Sequence, residues 1–147
     1  MDYHHKQTGW TLIALSAIIG AFAIIGYVAG GSLDSLGLFA VILTIVVLLL
    51  FASLTVEVEA GNLLVLFGPG LVRRSIALQD IVDVRTVTHL RIYGWGIRWW
   101  PGRFWLWNVG GIHAVELTLK GGRHFRIGTD EPEALVRAIQ NGKELIT

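Results

Sequence analysis

The fold is decided within residues 48–59, which read Leu-Leu-Leu-Phe-Ala-Ser-Leu-Thr-Val-Glu-Val-Glu. The first half of this stretch ends a long uncharged run, and the second half alternates apolar with polar side chains. An apolar run of about 20 residues is typical of a helix that crosses a bilayer, whereas period-two alternation is typical of a half-buried strand. The sequence therefore predicts a membrane part followed by a strand-rich part.

The charge distribution supports this division. Of the 23 charged residues (12 basic plus 11 acidic), only Asp2, Lys6 and Asp34 precede Glu57, and the other 20 lie in the remaining positions. A hydrophobic content of 53% excludes a disordered chain. The absence of cysteine excludes a disulfide scaffold and a thiolate metal site. A formal net charge of +1 gives no reason to expect nucleic acid as a partner.

Two uncharged stretches flank Asp34, one of 27 residues after Lys6 and one of 22 residues before Glu57. We predict membrane-spanning helices over about residues 10–30 and 36–54, joined into a helical hairpin by a short loop at 30–35. Residues 1–9 then form an N-terminal tail, and residues 55–147 form a second domain. The first span exceeds the apolar core of a signal peptide and another span follows at once, so we expect a retained anchor.

The few charges also predict the orientation of the hairpin. Lys6 precedes the first span and Arg73 and Arg74 follow the second, whereas the connecting loop carries only Asp34. The positive-inside tendency places both termini and the C-terminal domain in the cytoplasm, with Trp10 as an interfacial anchor. Nothing ionisable lies inside either span, which argues against transport or intramembrane catalysis by this chain alone.

Small residues mark one side of the first span. They allow close approach of helix backbones, and the last two form a GxxxG pair. The residues predicted to pack are Ser16, Gly20, Ala23, Gly26 and Gly30. Two partners for this face are open: the second span of the same chain, which we favour, and a second copy of the chain.

Beyond residue 54, strands are predicted over 54–59, 63–67, 71–77, 81–90, 112–119 and 124–127. Residues 60–62 form a turn, and Gly121 and Gly122 supply the positive φ of a hairpin turn. In the fourth of these strands Val82, Val84 and Thr86 are expected on one face.

The final element is predicted to be a helix. Asp130 and Glu133 have the spacing of a capping box, with Pro132 tolerated in the first turn. Its apolar stripe is Leu135, Ala138 and Ile139, and Gly142 offers a C-terminal stop.

Four segments carry a resemblance to a known group of proteins. They are 76–84 (Ile-Ala-Leu-Gln-Asp-Ile-Val-Asp-Val), 94–98 (Gly-Trp-Gly-Ile-Arg), 114–117 (Ala-Val-Glu-Leu) and 125–135 (Phe-Arg-Ile-Gly-Thr-Asp-Glu-Pro-Glu-Ala-Leu). The chain resembles small bacterial membrane proteins in which a pleckstrin-homology-like (PH-like) domain follows a transmembrane helical hairpin. This resemblance implies an all-β domain, a seven-stranded bent antiparallel sheet or open barrel, capped by the C-terminal helix. The hairpin that holds phosphates in many such domains is acidic here, at 57–62, so we expect no phosphoinositide site.

The most unusual segment runs from Arg91 to Trp107 and contains five of the six tryptophans but no acidic residue. Burial of one Trp side chain is favourable by up to about 4 kcal/mol, so something must cover these rings. Three environments could shield these rings from water: the core of the domain itself, the lipid headgroup region, or another subunit. We favour a surface that faces the membrane or a neighbouring subunit. Its candidate residues are Tyr93, Trp95, Arg98, Trp99, Trp100, Arg103, Phe104, Trp105 and Trp107.

No catalytic, metal or cofactor site is predicted. The five histidines are dispersed, no nucleophile has a base nearby in a known motif, and Gly94-Trp95-Gly96 lacks the third glycine of a dinucleotide fingerprint. The leading hypothesis is a non-enzymatic, membrane-anchored interaction or scaffold module, oligomeric or part of a larger membrane assembly. The alternatives are a lipid or small-ligand binding domain at the bilayer surface and an accessory subunit of a transporter or protease. Expected partners are membrane lipid and either a second copy or another membrane protein.

Overall fold

The computed structural model describes residues 3–32, 35–88 and 93–146. Asp34 of the predicted loop, His89 and Leu90 at the end of a predicted strand, and Arg91 of the aromatic segment lie outside the described residues. A 3₁₀ turn, Leu78–Asp80, precedes β5. The elements in chain order are β1 (Tyr3–Thr8), α1 (Trp10–Val28), α2 (Ser35–Phe51), β2 (Ser53–Glu59), β3 (Asn62–Phe67), β4 (Val72–Ala77), β5 (Ile81–Thr88), β6 (Gly96–Trp100), β7 (Phe104–Asn108), β8 (His113–Leu119), β9 (His124–Gly128) and α3 (Pro132–Glu144).

The first helix, α1, is long and apolar enough to cross a bilayer. Its 19 residues extend about 28 Å at 1.5 Å per residue, close to the thickness of a hydrocarbon core. The second helix, α2, is also apolar but has 17 residues, because the chain turns into β2 at Ser53. It therefore ends at Phe51, three residues before the predicted end of the second span.

Helices α1 and α2, called here the helical pair, have a partly buried side and a large exposed apolar surface. Ser16 is the buried residue of α1, and no residue of α2 is fully buried. The hydroxyl groups of Ser16 and Thr44 donate to the carbonyls of Leu12 and Ala40 within their own helices, so neither needs an outside partner. The apolar side chains with the most exposed surface on the pair include Phe22, Ile24, Ile25, Val28, Leu36 and Leu49.

Sheet A contains β1, β2, β3 and β4 in that order, all antiparallel. Strand β1, in the segment assigned from sequence to a tail, pairs with β2 from Tyr3 opposite Val58 to Thr8 opposite Ser53. The chain therefore leaves sheet A at β1, forms both helices and returns to the neighbouring strand. The helical pair is an insertion between two paired strands.

Sheet B has the order β5-β8-β9-β7-β6. Strand β7 runs parallel to β9, whereas the other neighbours are antiparallel. The described residues thus form nine strands in two sheets, where the resemblance implied seven. Three of the nine, β1, β6 and β7, are not among the six strands predicted from the sequence, and β6 and β7 lie within the aromatic segment.

The core lies between the two sheets, and α3 closes it. Helix α3 contacts β5 and β8 of sheet B and β2 of sheet A. Leu135 and Ile139 of the predicted stripe are fully buried, and Ala138 packs against the core at its margin. An amphipathic helix placed across both sheets removes apolar surface that neither sheet can cover alone.

Two predictions about α3 are wrong. Its N-cap is Glu131 and makes no side-chain capping bond, because Asp130 is instead hydrogen-bonded to the His5 ring at 2.6 Å. Gly142 does not end the helix, which continues to Glu144. A Cβ at Gly142 would lie 2.6 Å from Cδ1 of the buried Leu78, so a larger residue here would force the Leu78 side chain to shift.

The face predicted for Val82 is also wrong. A register shift between Ile81 and Asp83 in the pairing with β8 turns Val82 outward, where it is exposed. Val84 packs against the core as expected. A bulge of this kind adds one residue to a strand and so reverses the faces on either side of it.

Candidate functional site: the aromatic hairpin and the junction cleft

Strands β6 and β7 form an antiparallel hairpin, called here the aromatic hairpin (Gly96–Asn108). Ile97 pairs with Trp107, and Trp99 pairs with Trp105. The turn is closed by a 3.0 Å hydrogen bond from the Arg103 amide to the Trp100 carbonyl, and Gly102 adopts a φ of +69°. Because side chains alternate along a strand, the register separates the aromatic residues into two faces.

The first face contributes to the core at Trp107. This side chain is 6% exposed, and its ring centroid lies 5.2 Å from that of Phe67 in sheet A and 5.7 Å from that of Phe125. Arg74 lies over the Phe125 ring, with its guanidinium carbon 4.7 Å from the centroid. Burial, together with the charge of Arg123, lowers the pKa of Arg74. Trp107 is therefore a core residue that joins the two sheets.

On the same face of the hairpin, the next pair of side chains towards the turn is exposed. Trp99 is 60% exposed and Trp105 is 41% exposed, although their ring centroids are only 6.2 Å apart. They lie about 7 Å along the strand from the pair of Ile97 and Trp107, at about 3.3 Å per residue. Sheet A no longer covers the face at this point, so the two rings form a contiguous exposed aromatic surface, called here the Trp pair.

The opposite face of the hairpin is a second aromatic cluster. Tyr93 makes edge-on contacts with Trp100 and Phe104, at centroid distances of 5.0 and 5.6 Å. The guanidinium of Arg126 lies 3.7 Å above the Phe104 ring, a cation–π distance. Phe104 is buried and Trp100 is partly buried. These residues therefore anchor the hairpin to sheet B.

A buried ion network lies beside this cluster. Glu116 on β8 is 3% exposed and is flanked in register by Arg85 on β5 and Arg126 on β9. Nε of Arg85 donates to Oε1 of Glu116 at 3.0 Å, and Nε of Arg126 donates to Oε2 at 2.6 Å. Burial by itself raises the pKa of Glu116, but the hydrogen bonds and charges of the two arginines outweigh it, so the pKa is lowered.

Sequence reasoning did not identify this network. The signal was available in residues 114–117, where one carboxylate interrupts an apolar strand, because a buried carboxylate normally requires a cationic partner. Its partners lie 31 and 10 residues away along the chain, so their identity depended on the strand order.

An open cleft lies where the helical pair meets the aromatic hairpin, and it is called here the junction cleft. Its volume is about 400 Å³. Helices α1 and α2 contribute one wall, and the chain entering β6 contributes the other. The lining residues are Leu12, Val47, Phe51, Gly94, Trp95, Gly96, Ile97, Arg98 and Val109.

Arg98 is the charged side chain of the junction cleft. Its Nε donates to the Trp95 carbonyl at 3.4 Å, and its side chain lies against Gly94, whose φ is +74°. Within the described ranges, no ion pair includes Arg98. Arg103 is exposed in the hairpin turn, away from the cleft lining.

The residues predicted to pack helices fall into two groups. Ser16, Gly20 and Ala23 are buried or partly buried in α1, on a single side at helical spacing. Gly26 and Gly30 are exposed, and a Cβ added to either would meet no atom within 4 Å. The first group thus lies on the less exposed side of α1, whereas the GxxxG pair lies outside it.

The chain shows no similarity that would assign it to a known group: no protein-family model matches it, and no curated protein matches it.

Proposed function

We propose that this chain is a membrane-anchored, non-enzymatic interaction module. In this proposal the helical pair lies in a bacterial inner membrane, and both termini and a PH-like domain formed by the sheets and α3 face the cytoplasm. The Trp pair of the aromatic hairpin binds a second copy of the chain. The single observation that carries the proposal is the exposure of Trp99 and Trp105 on a hairpin that is otherwise anchored to the core.

Free energy favours covering the Trp pair. About half of each ring is exposed, and covering that half is worth about 2 kcal/mol per ring from its apolar area. The hairpin does not need these two rings for its attachment, because Trp107 and Phe104 already hold it to the two sides of sheet B. The exposed rings are therefore available to a partner.

The surroundings of the Trp pair favour a protein partner. Strand β6 is the last strand of sheet B among those that the structure describes, so its outer backbone groups have no neighbour among these strands. Tryptophan is among the residue types most enriched at interface hot spots. In a dimer the exposed indole rings of the two copies can pack against each other.

The proposal is tested by the mass of the full chain in detergent or in nanodiscs, measured by light scattering. We expect a dimer or larger assembly for the natural chain and a monomer for the double variant Trp99→Ala/Trp105→Ala. The matched control is Trp10→Ala, which removes a tryptophan that is 73% exposed and lies outside the hairpin.

A monomeric natural chain would overturn the proposal. The proposal would also fail if the natural chain, the double variant and Trp10→Ala all had the same mass. Near-ultraviolet circular dichroism of each variant reports whether the buried Trp107 keeps its packing, which separates loss of association from loss of fold.

A further inference from the structure

We infer that the junction cleft binds one anionic phospholipid, with an acyl chain against the helical pair and the phosphate at Arg98. This inference rests on the membrane anchoring proposed above but not on self-association. It concerns a surface other than the Trp pair. The observation that carries it is that an apolar helix wall meets Arg98 in one open cleft, and that no ion pair among the described residues includes this arginine.

The apolar wall of the cleft continues into the exposed surface of the helices. Leu12 lies in the first turn of α1 and Val47 lies near the end of α2, so both are close to the sheets. One helical turn further from the sheets are Leu15 and Leu43, and each is 49% exposed. An acyl chain that enters the cleft can therefore extend onto these exposed apolar side chains.

The opposite wall has the chemistry of a lipid headgroup region. Trp95 is exposed, and Trp is enriched at the membrane–water interface. Arg98 contributes several N–H donors in a planar fork that matches a phosphate. Among the described residues that line the cleft none is acidic, so none of them opposes an anion.

The size and the charge of the cleft together favour a lipid over a soluble ligand. A volume of about 400 Å³ lies at the small end of ligand sites. It suits part of a lipid, one chain segment with its glycerol phosphate, whose remaining hydrocarbon stays in the bilayer. A wholly soluble apolar ligand would gain nothing from the continuation onto Leu15 and Leu43.

The test is native mass spectrometry of the full chain released from detergent after addition of dioleoylphosphatidylglycerol or dioleoylphosphatidylcholine. We expect the natural chain to retain one phosphatidylglycerol per copy in preference to phosphatidylcholine. Arg98→Gln should reduce this preference about tenfold, the loss expected for charged hydrogen bonds to phosphate. Arg103→Gln, which removes an exposed arginine of the same hairpin from outside the cleft, should leave it unchanged.

A second pair of variants tests the apolar wall. Val47→Trp fills the cleft and should abolish lipid retention, whereas Val46→Trp, at an exposed neighbouring position outside the cleft lining, should not. Excess inorganic phosphate should not displace the lipid, because the acyl chain supplies much of the binding.

Three outcomes would overturn the inference: no retained lipid, equal effects of Arg98→Gln and Arg103→Gln, or equal effects of Val47→Trp and Val46→Trp. Copy number and bound lipid add separate masses to the same spectrum. A monomer with bound phosphatidylglycerol would therefore refute self-association and support the lipid site.

Discussion

Glu116 and Arg126 stand directly opposite each other on β8 and β9, joined by a 2.6 Å hydrogen bond from Nε of the arginine to Oε2 of the carboxylate. Arg85 continues the row on the other neighbouring strand, so three charged residues cross sheet B side by side. The carboxylate is buried and thus compensates two cations at once. Loss of its charge leaves Arg126, whose side chain is 18% exposed, without its anionic partner.

We expect Glu116→Gln to lower the free energy of unfolding by about 3 kcal/mol, the usual cost when one partner of a buried ion pair is removed. Chemical denaturation of the full chain in a mild detergent, followed by circular dichroism, measures this change. Glu59→Gln is the matched control, because Glu59 is exposed at the end of β2. Equal stability of the two variants would contradict the assigned role of the network.

The same carboxylate predicts an acid-sensitive stability. The pKa of Glu116 is lowered in the folded chain from its ordinary value of 4.5, whereas the unfolded chain keeps the ordinary value. The unfolded state therefore binds the proton more readily, and the stabilisation is complete above the ordinary pKa and lost as the pH falls through the folded pKa. Stability should decline below about pH 4.5 more steeply in the natural chain than in Glu116→Gln. Parallel acid unfolding curves would count against this.

The raised pKa of Tyr3 should make the stability of the fold decrease at alkaline pH. Burial, reinforced by the charges of Glu131 and Asp130, raises the pKa of Tyr3 from 10.0 to about 12. The unfolded chain releases this proton first, so stability should be full below pH 10 and fall between about pH 10 and 12. Tyr3→Phe should remove this step, and absorbance at 295 nm should lose the most alkaline of the tyrosine titrations. Loss of amplitude near pH 10 instead of near pH 12 in the variant would show that Tyr3 has an ordinary pKa.

The Tyr3 variant should also be no less stable at neutral pH. Its hydroxyl oxygen is buried, and within the part of the chain that the structure describes it has no hydrogen-bond partner. Removing an unpaired buried polar group is neutral or stabilising. A thermal unfolding temperature of Tyr3→Phe well below that of the natural chain would reveal a partner for the hydroxyl.

Gly68 lies where the end of α2 packs against the turn after β3. Its φ is +51°, its amide donates to the Ser53 carbonyl at 2.9 Å, and a Cβ would collide with the carbonyl oxygens of Leu49 and Leu50 at the end of α2. Gly68→Ala should therefore destabilise the chain by about 2 kcal/mol or more, through left-handed backbone strain and overpacking against backbone atoms.

A matched control for Gly68 exists in the turn between β8 and β9. Gly121 also has a positive φ, but a Cβ there would meet nothing within 4 Å. Gly121→Ala should cost only about 1 kcal/mol of backbone strain. Thermal unfolding of both variants gives the comparison, and equal losses would exclude a specific contact between Gly68 and α2.

The elements that sequence predicts correctly are those with a local signature. The apolar run of α1, the alternation in β2, the short apolar run of β3, and the two glycines between β8 and β9 each determine their structure from neighbouring residues. Strand β1 has no such signature, because its residues after Tyr3 are polar and its pairing depends on β2, 45 or more positions away. Its existence follows only from the position of β2.

The aromatic segment shows the same limit for the candidate site. Its composition shows that some of the aromatic rings must be shielded from water, but it does not show which ones. The separation of Trp107 in the core from Trp99 on the surface depends on the β6–β7 register and on where sheet A ends. The junction cleft joins residues as distant as Leu12 and Val109, and no spacing rule relates such positions.

The insertion of both helices between β1 and β2 has a mechanical consequence. The Gly9 amide donates to the Ala52 carbonyl at 2.7 Å, directly beneath the six residue pairs that join the two strands. A protease cut between α1 and α2 should thus leave two fragments that stay associated until the ladder melts. For the same reason, any tilt of the helices is transmitted to the sheets, so that the orientation of sheet A depends on what surrounds the two helices.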